Sequence, residues 1–432
     1  MSQDLVLSRI LASAFACCPP GRPGFSGGED VLGWNLVLQI ARFNPVWAIT
    51  HAEHRLSIEQ ELEEEPVPNL HFVYVKLPEI AQSLLKIQGG HQIYYFVWQV
   101  AAYFTARRLH KTINFSLFHH ITYANDWMAS YIGAFLPVPY VRGPGGGAHR
   151  TPKEMQSEYS AKGRFWEKIR GAGQRLFRFD PVFGRGQRRA KAIMVCNRES
   201  LESVPRSFRD KVSIFPVNGI SSEDLSITAP RERGQQKFRV ISAGSLIRVK
   251  GFSLAIRGFL IFAAEHPESE LSIVGSGPED SHLKAIIKEF KAGDRVHMIP
   301  AVPRNELLKM MGDCDVFLFP SLRDGGGAVV VEAMSAGTPV ICLDCGGPAM
   351  HIDSKVGIKI KPVSSQKAVG DIASALERLY SEPELRKSLG EAAREHVTRE
   401  YHWDRLGERL MEIYEPLLSA SSASTVSKNQ AP

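Results

Sequence analysis

One glycine-rich segment, residues 320–334, has the residue types that an anion-binding loop needs. A β-rich stretch leads into Gly325, Gly326 and Gly327, and a helical pattern starts at Ala328. Glycines let a backbone approach a ligand closely, and the unpaired N–H groups at the start of a helix attract negative charge. We therefore expect a strand-to-helix corner that binds an anion such as a phosphate.

Two carboxylates border the same corner. Asp324 precedes the glycines and Glu332 follows them, with seven residues between the two acids. The apolar residues of the helical pattern form one stripe, so at about 100° per residue Glu332 points away from the core and towards the mouth of the corner. The pattern thus predicts two acids that flank one anion site.

Three further corners carry glycines or cations. Residues 243–251 contain Arg248 and Lys250, whose charges would attract an anion. The other two corners, residues 275–277 and 24–30, are glycine loops. The residues of these corners that we expect to line a ligand site are Gly244, Ser245, Gly275, Gly27 and Gly28.

The Gly-x-Gly of residues 275–277 would also suit a dinucleotide. In a dinucleotide-binding fingerprint a further glycine follows, and an acidic residue stands about 20 positions on. Both features are missing here. The sequence therefore disfavours a nicotinamide-dependent enzyme.

Alternating strands and helices position these corners. β-rich runs are followed by apolar stripes with helical spacing, most clearly in the second half, and this alternation is typical of parallel, doubly wound sheets, which bind ligands beyond the carboxyl ends of their strands. A buried helix is expected over 94–104. The predicted strands are 9–16, 46–50, 71–76, 117–120, 140–142, 193–196, 238–243, 270–274, 295–299, 315–319 and 339–343.

The spacing of Asp324 and Glu332 resembles the E-x7-E signature of glycosyltransferase family 4, the group 1 glycosyltransferases, which are retaining enzymes of the GT-B fold. The resemblance implies that Asp324 contacts the transferred sugar and that Glu332 holds the ribose hydroxyls of the nucleotide. The first acid of this chain is Asp, one methylene shorter than the Glu of the family signature.

Residues 243–251 resemble the G-R-L-x-x-x-K-G loop of the same family, whose Arg and Lys hold the donor diphosphate. Lys250 matches the lysine, but Ser245 stands where the family has arginine. Each positioned donor to a developing oxyanion is worth about 3 kcal/mol. We hypothesise that Arg248 supplies the missing contact; the alternative is that Arg248 is only a surface charge.

Two histidines near strand ends are further candidates for the cleft. His120 ends the predicted strand 117–120, and His149 follows the predicted strand 140–142. We take His120 as a catalytic candidate. A structural imidazole would explain either histidine equally well.

The GT-B fold implies two doubly wound, Rossmann-like α/β domains that face each other across a central cleft. We place the N-terminal, acceptor-side domain at 1–218 and the C-terminal, donor-nucleotide domain at 219–403. Residues 404–418 resemble the closing helix of the family, which crosses back to complete the N-terminal domain. The Ser-rich tail, 419–432, is expected to be disordered.

The resemblance also implies a reaction: transfer of a sugar from a nucleoside-diphosphate sugar to a hydroxyl of a glycan or lipid-linked acceptor, as in polysaccharide biosynthesis. In such hexosyltransferases no metal or other cofactor is expected, because side chains and amides neutralise the leaving diphosphate. Asp313 and Asp315 form a D-x-D pattern that suits a metal, although a capping acid at a strand start explains Asp315. Two alternatives stay open, a noncatalytic sugar-nucleotide-binding protein and a GT-B sugar-nucleotide epimerase.

Charge is concentrated in one region of the chain. The net charge is +6, and residues 153–191 hold many of the Lys and Arg side chains, with aromatic and aliphatic residues between them. Such a pattern is typical of a helix on an anionic membrane surface, or of a basic helix that packs on its own domain. No nucleic-acid recognition motif accompanies it.

The cellular location is predicted from the cysteine pattern and from the lack of a long apolar stretch. Six cysteines are scattered along the chain, as in a reduced compartment. No stretch reaches the roughly 18 to 20 apolar residues of a membrane-spanning helix. We therefore expect a cytoplasmic protein that works at the inner face of the membrane.

Overall fold

A computed structural model describes residues 8–86, 90–177, 179–228 and 237–429. The described residues form two parallel β-sheets, each covered by helices. The strands of the first sheet are β1 (Ile10–Ser13), β2 (Val46–His51), β3 (Leu70–Val75), β4 (Leu117–His120), β5 (Tyr140–Gly145), β6 (Ala190–Val195) and β7 (Val212–Ile214). Those of the second are β8 (Phe238–Ala243), β9 (Ser269–Val274), β10 (Val296–Ile299), β11 (Val316–Phe319), β12 (Val340–Leu343) and β13 (Gly357–Ile360).

Helices connect the strands as right-handed crossovers require. In the first half they are α1 (Gly28–Phe43), α2 (Arg55–Glu64), α3 (Glu79–Gln82), α4 (Gly90–Ile113), α5 (Tyr131–Phe135), α6 (Ala161–Phe177), α7 (Pro181–Arg189) and α8 (Arg198–Ser203). In the second half they are α9 (Ser222–Ile227), α10 (Phe252–Ala263), α11 (Asp280–Glu289), α12 (Arg304–Gly312), α13 (Ala328–Ser335), α14 (Gly346–His351), α15 (Ser365–Ser381), α16 (Pro383–Glu400) and α17 (Trp403–Asn429).

The strand order explains where ligands can bind. The first sheet has the order β3-β2-β1-β4-β5-β6-β7 and the second the order β10-β9-β8-β11-β12-β13. In each sheet the chain direction across the sheet reverses once, between β1 and β4 and between β8 and β11. Crevices open beyond the carboxyl ends of strands at such switch points. The segments after β8 and β11 therefore face one crevice.

The predicted α/β architecture of two Rossmann-like domains is confirmed, and the predicted strands agree with the observed ones to within a few residues. The short strands β7 and β13 were not predicted. The expectation of a buried helix over 94–104 was wrong in part. Helix α4 buries Tyr95 and Trp98, but Phe96 is 44% and Phe104 61% exposed, because apolar residues occur on more than one side of this helix.

The last helix packs on the N-terminal domain. Leu406, Leu410 and Tyr414 of α17 lie in one buried cluster with residues of α1, β1 and β2. The helix continues to Asn429, whereas we expected disorder from Ser419. No glycine or proline interrupts 417–429, and each added residue of a formed helix gains one hydrogen bond. The rest of the predicted tail, 430–432, lies outside the described residues.

The chain passes between the domains twice, and the two passages lie side by side. The amide of Ile220 donates to the carbonyl of Tyr401 at 2.9 Å, and the amide of Trp403 donates back to Ile220 at 3.0 Å. Both passages lie close to the predicted domain boundaries at 218 and 403, which stay a prediction.

A third segment also joins the domains. Residues 151–160 come shortly after β5 of the first sheet, but their Met155 and Tyr159 are buried in the core of the second domain. Glu158 is buried there and accepts from the guanidinium of Arg257 at 2.7 Å and from Ser253 Oγ at 2.9 Å. We call residues 151–160 the strap, because they fasten the N-terminal domain to the C-terminal one.

The packing of α17 predicts that Leu410→Ala destabilises the protein by about 2–5 kcal/mol, the usual cost of a truncated, fully buried leucine. Glu415→Ala on the exposed side of α17 is the control and should change stability by less than about 0.5 kcal/mol. Chemical denaturation measures both. Equal stabilities for the two variants would contradict the observed packing of α17.

Candidate active site

The glycine corner after β11 is built around Asp324. Its Oδ1 accepts from the amides of Gly326 at 3.1 Å and Gly327 at 2.8 Å, at the start of α13. Its Oδ2 accepts from the ammonium of Lys250, which lies after β8. Burial would raise the pKa of Asp324, but Lys250 and the two amides outweigh it and hold that pKa below its ordinary value. Asp324 is therefore a carboxylate at neutral pH.

This geometry corrects one expectation. We predicted that the amides from Gly325 to Ala328 would all face a ligand anion. Two of them, those of Gly326 and Gly327, are instead satisfied by the protein's own carboxylate at Asp324. Asp324 thus holds the glycine loop that leads into α13, whose N-cap residue is Gly327.

The N-terminal domain and the domain junction hold the carbonyl side of the same loop. The side-chain amide of Asn197, directly after β6, donates to the carbonyl of Gly325 at 3.0 Å. The carbonyl of Gly326 accepts from Asn218 Nδ2 at 2.6 Å and from His351 Nε2 at 2.5 Å. The loop is thus fixed from both sides of the cleft.

His149, the second histidine candidate, also reaches this loop. A Cβ placed on Gly325 would lie 3.1 Å from Cε1 of His149, so only a glycine leaves this contact unstrained. Burial lowers the pKa of His149, although Asp324 raises it. His149 is therefore a neutral imidazole against the glycine loop.

Lys250 and Arg248 contact different acids. Arg248 Nε pairs with Glu279 Oε2 at 2.8 Å, and Arg248 Nη1 donates to the carbonyl of Glu158 in the strap at 3.3 Å. Glu279 follows β9, on the far side of the corner from Asp324. The sequence hypothesis did not include Glu279 as a competing partner of Arg248.

The glycines after β8 and β9 pack on each other. A Cβ on Gly275 would lie 2.0 Å from the carbonyl oxygen of Gly244, and both glycines have positive φ, 155° and 143°. Ser245, the residue at the family's arginine position, is exposed beside them. Close approach of two backbones therefore explains Gly275, and the positive φ explains Gly244.

Glu332 lies on α13 and meets a residue that the sequence reasoning missed. Its Oε1 accepts from Arg304 Nε at 2.7 Å. The same guanidinium holds Asp224 Oδ2 at 3.2 Å. Burial raises the pKa of Glu332 even though Arg304 lowers it. No spacing rule links Arg304, which follows the edge strand β10, to Glu332, so the sequence carries no signal for this pair.

On the opposite side, Gly27 and Gly28 open helix α1. Gly27 has φ 131° at the N-cap, and a Cβ on Gly28 would meet no atom within 4 Å, so space lies beside this loop. Asp30 is fully buried and accepts from the amides of Cys18 at 2.9 Å and Ser26 at 2.8 Å. Asp30 thus shapes the loop and leaves Gly28 open to the solvent.

His120 is not at an open surface. Its side chain is buried, its Nε2 lies 3.3 Å from the hydroxyl of Tyr95, and burial lowers its pKa to about 3. Strand β4 is central in its sheet and covered on both faces, so all four of its residues are buried. Burial makes His120 a neutral imidazole, and its contact with a substrate stays a prediction.

Neither a metal cluster nor a membrane span is visible in the described ranges. Asp315 of the D-x-D pattern accepts from the amide of Arg239 at 2.9 Å and pairs with Arg386 at 3.4 Å. Within residues 8–86, 90–177, 179–228 and 237–429, no three His, Cys, Asp or Glu side chains are grouped so as to hold a metal. In the same ranges no helix has the length and apolarity needed to traverse a bilayer.

Comparisons with known proteins match the second domain most clearly. Residues 226–396 match the family model described as "Glycosyl transferases group 1". D-inositol 3-phosphate glycosyltransferase of Arthrobacter sp. (strain FB24) is 32% identical over 195 residues, which are 43% of this chain and 45% of that protein. The phosphatidylinositol N-acetylglucosaminyltransferase GPI3 subunit of Saccharomyces cerevisiae (strain YJM789) is 24% identical over 50% of this chain and 47% of its own length. The chain thus spans about half the length of these curated relatives.

Solved structures resemble nearly the whole chain. Sucrose-phosphate synthase from Thermosynechococcus elongatus has a TM-score of 0.64 at 17% identity, over 96% of this chain and 100% of that one. WaaG, a glycosyltransferase involved in lipopolysaccharide biosynthesis, has a TM-score of 0.60 at 17% identity, over 94% and 99%. Anabaena Alr3699/HepE in complex with UDP and glucose has a TM-score of 0.56 at 15% identity, over 95% and 99%.

At these identities the solved structures show the fold alone, which is GT-B. The family match adds what the fold cannot, because it covers the two corners that carry Lys250, Asp324 and Glu332. Residues 226–396 of this chain are therefore similar in sequence to the group 1 glycosyltransferases.

Proposed function

We propose that this protein is a retaining, family 4 glycosyltransferase that moves a sugar from a nucleoside-diphosphate sugar to a hydroxyl of a glycan or lipid-linked acceptor. The observation that carries the proposal is the contact of Lys250 with Asp324 at the switch point of the second sheet. A cation, a carboxylate and a helix start meet there, at the place where doubly wound sheets bind nucleotides. HepE of Anabaena, a protein of similar fold, has been solved in complex with UDP and glucose.

In this proposal Lys250 binds the diphosphate and Asp324 binds the transferred sugar. An ammonium group has three N–H donors, so Lys250 can keep its bond to Asp324 and still donate to a phosphate oxygen. Asp324, held by the two glycine amides, accepts from hydroxyls of the transferred sugar. Negative charge grows on the diphosphate as the bond to the sugar breaks, and Lys250 and the dipole of α13 stabilise that charge.

The proton of the acceptor needs no protein base in this mechanism. The acceptor hydroxyl attacks on the face that the diphosphate leaves, and the leaving oxygen takes the proton. The sugar carbon gains the bond to the acceptor oxygen while its bond to the diphosphate breaks, so its configuration is retained. The burial of His120 fits this scheme, because a neutral imidazole with a pKa of about 3 is a weak base at neutral pH.

The function is tested by a thermal-shift screen of UDP, GDP and ADP, followed by an assay of sugar transfer from the diphosphate sugar of the tightest binder. A ligand at 100 times its dissociation constant stabilises the fold by about 2.7 kcal/mol. Proton NMR of the product then reports whether the anomeric configuration is retained. Binding without transfer to any acceptor would favour a noncatalytic protein, and turnover without acceptor would favour an epimerase.

We also propose that helix α6 contacts an anionic membrane, at the inner face of the cytoplasmic membrane. Exposed aromatic and aliphatic side chains lie on this helix together with exposed cations, and of its residues only Gly171 is buried. The exposed apolar residues are Phe165, Trp166, Ile169, Leu176 and Phe177. The exposed cations are Lys162, Arg164, Lys168 and Arg175. Apolar insertion and attraction to anionic lipid are the two terms that bind such helices to a bilayer.

Lys250→Ala should lower kcat/KM by about 100-fold or more, because it removes the cation at the leaving group and leaves Asp324 without its counter-ion. Arg248→Ala is the comparison and should cost less than about tenfold, since Arg248 is paired with Glu279 away from Asp324. Steady-state kinetics with varied donor measure both. Equal losses would restore the hypothesis that Arg248 replaces the arginine missing at Ser245.

Chelation of metals should leave the rate unchanged, because Lys250 and the start of α13 supply the positive charge that a metal would otherwise provide. The measurement compares kcat in EDTA with kcat in added manganese. Loss of activity in EDTA that manganese restores would contradict the proposal and return Asp313 and Asp315 to consideration.

Phe165→Ser combined with Trp166→Ser should reduce co-sedimentation with vesicles of phosphatidylcholine and phosphatidylglycerol by about tenfold, because two exposed aromatic side chains no longer insert. Phe290→Ser, at a 54% exposed phenylalanine of the second domain, is the matched control and should bind as the wild type does. Undiminished binding of the double variant would refute the contact through α6.

A further inference from the structure

Arg304 joins two acids that come from different parts of the second domain. Its Nε donates to Glu332 Oε1 of α13 at 2.7 Å, and its two terminal nitrogens both contact the carboxylate of Asp224 on α9. Glu332 and Asp224 have side chains that are 14% and 9% exposed. One guanidinium thus stands between two acids that are largely shielded from water.

Asp224 holds the guanidinium of Arg304 in place. Its Oδ2 also accepts from the amide of Ser221 at 2.9 Å, and its own amide donates to Ser221 Oγ at 3.1 Å, which completes a capping box at the start of α9. α9 is the first helix after the chain enters the second domain. Because both terminal nitrogens of Arg304 are used on this well-held acid, its Nε has little freedom to turn away from Glu332.

We propose that Arg304 is the positioning residue of the nucleotide ribose site: it holds Oε1 of Glu332 so that Oε2 faces the ribose hydroxyls. The inference rests on the proposed function, in which Glu332 accepts from those hydroxyls. Arg304 itself contacts no reacting atom. A carboxylate with one oxygen fixed presents the other in one direction, whereas a free glutamate side chain samples several rotamers.

Arg304 also favours the ionised form of Glu332. The charged groups that face Glu332 are Arg304 from α12 and Asp224 from α9. Burial and Asp224 both raise the pKa of Glu332, and Arg304 opposes them. Removal of Arg304 leaves only the two effects that favour the protonated form. The pKa of Glu332 then rises further, so a smaller fraction of this side chain is ionised at low pH than at high pH.

The test compares binding of UDP with binding of 2′,3′-dideoxyuridine diphosphate, by calorimetry at pH 6 and pH 8.5; GDP and ADP with their dideoxy forms are used if either binds more tightly. The wild type should prefer the ribose form by about 10- to 100-fold, the usual worth of a hydrogen bond to a charged group. Arg304→Met should reduce this preference to a few-fold at pH 6 and regain part of it at pH 8.5. Arg304→Lys should be intermediate, because one ammonium cannot bridge both acids.

Arg386→Met is the matched control, since it also breaks an arginine–aspartate pair of the second domain, with Asp315 at 3.4 Å. It should keep the wild-type preference at both pH values. Thermal melting shows which variants fold; if Arg304→Met does not, Arg304→Lys carries the test alone.

Three outcomes separate the two hypotheses. If Glu332→Gln abolishes the ribose preference while the Arg304 variants keep it at both pH values, Arg304 has no positioning role and the proposed function stands. If Glu332→Gln keeps the preference, the ribose role of Glu332 fails and the inference fails with it. If none of the nucleoside diphosphates binds the wild type, the proposed function itself is wrong.

Discussion

The contact between Lys250 and Asp324 is the interaction on which the candidate site depends. It joins the corner after β8 to the corner after β11, the two strands at which the sheet order reverses. Asp324 is only 13% exposed, and an acid so placed is unfavourable without a counter-ion. With Lys250 beside it, the carboxylate can cap the glycine loop through the amides of Gly326 and Gly327. The conformation of the glycine loop that leads into α13 depends on these bonds.

The second constraint comes from across the cleft. The carbonyls of Gly325 and Gly326 accept from Asn197 and Asn218, which lie in the first domain and at the junction. The glycine loop therefore has its amide side held by its own domain, while its carbonyls accept from Asn197 of the first domain, from Asn218 at the junction and from His351 of its own domain. A rotation of the first domain away from this loop breaks the bond from Asn197, so loop geometry and domain closure are linked.

Sequence alone located Asp324, Lys250 and the glycine loop because switch-point corners follow directly from strand order and glycine spacing. The sequence did not predict ion pairs whose two residues are distant along the chain. Arg304 meets Glu332 across two elements, and Arg248 meets Glu279 rather than the diphosphate corner. His120 shows a different limit: the residue pattern gives the strand end, but not that the strand is covered on both faces. Alternation in a parallel sheet carries no signal for the open side.

The basic segment, residues 153–191, allows two interpretations from sequence, a helix on a membrane or a helix packed on its own domain. The structure combines features of both. The strap before α6 buries Met155 and Tyr159, but in the core of the second domain. α6 then turns an apolar, basic face to the solvent, while its Glu167 pairs with Arg323, the residue before Asp324. A side chain of the exposed helix therefore contacts the segment that leads into the glycine loop. Because this ion pair and the strap both reach the second domain, α6 is fastened to the domain that carries Lys250 and Asp324.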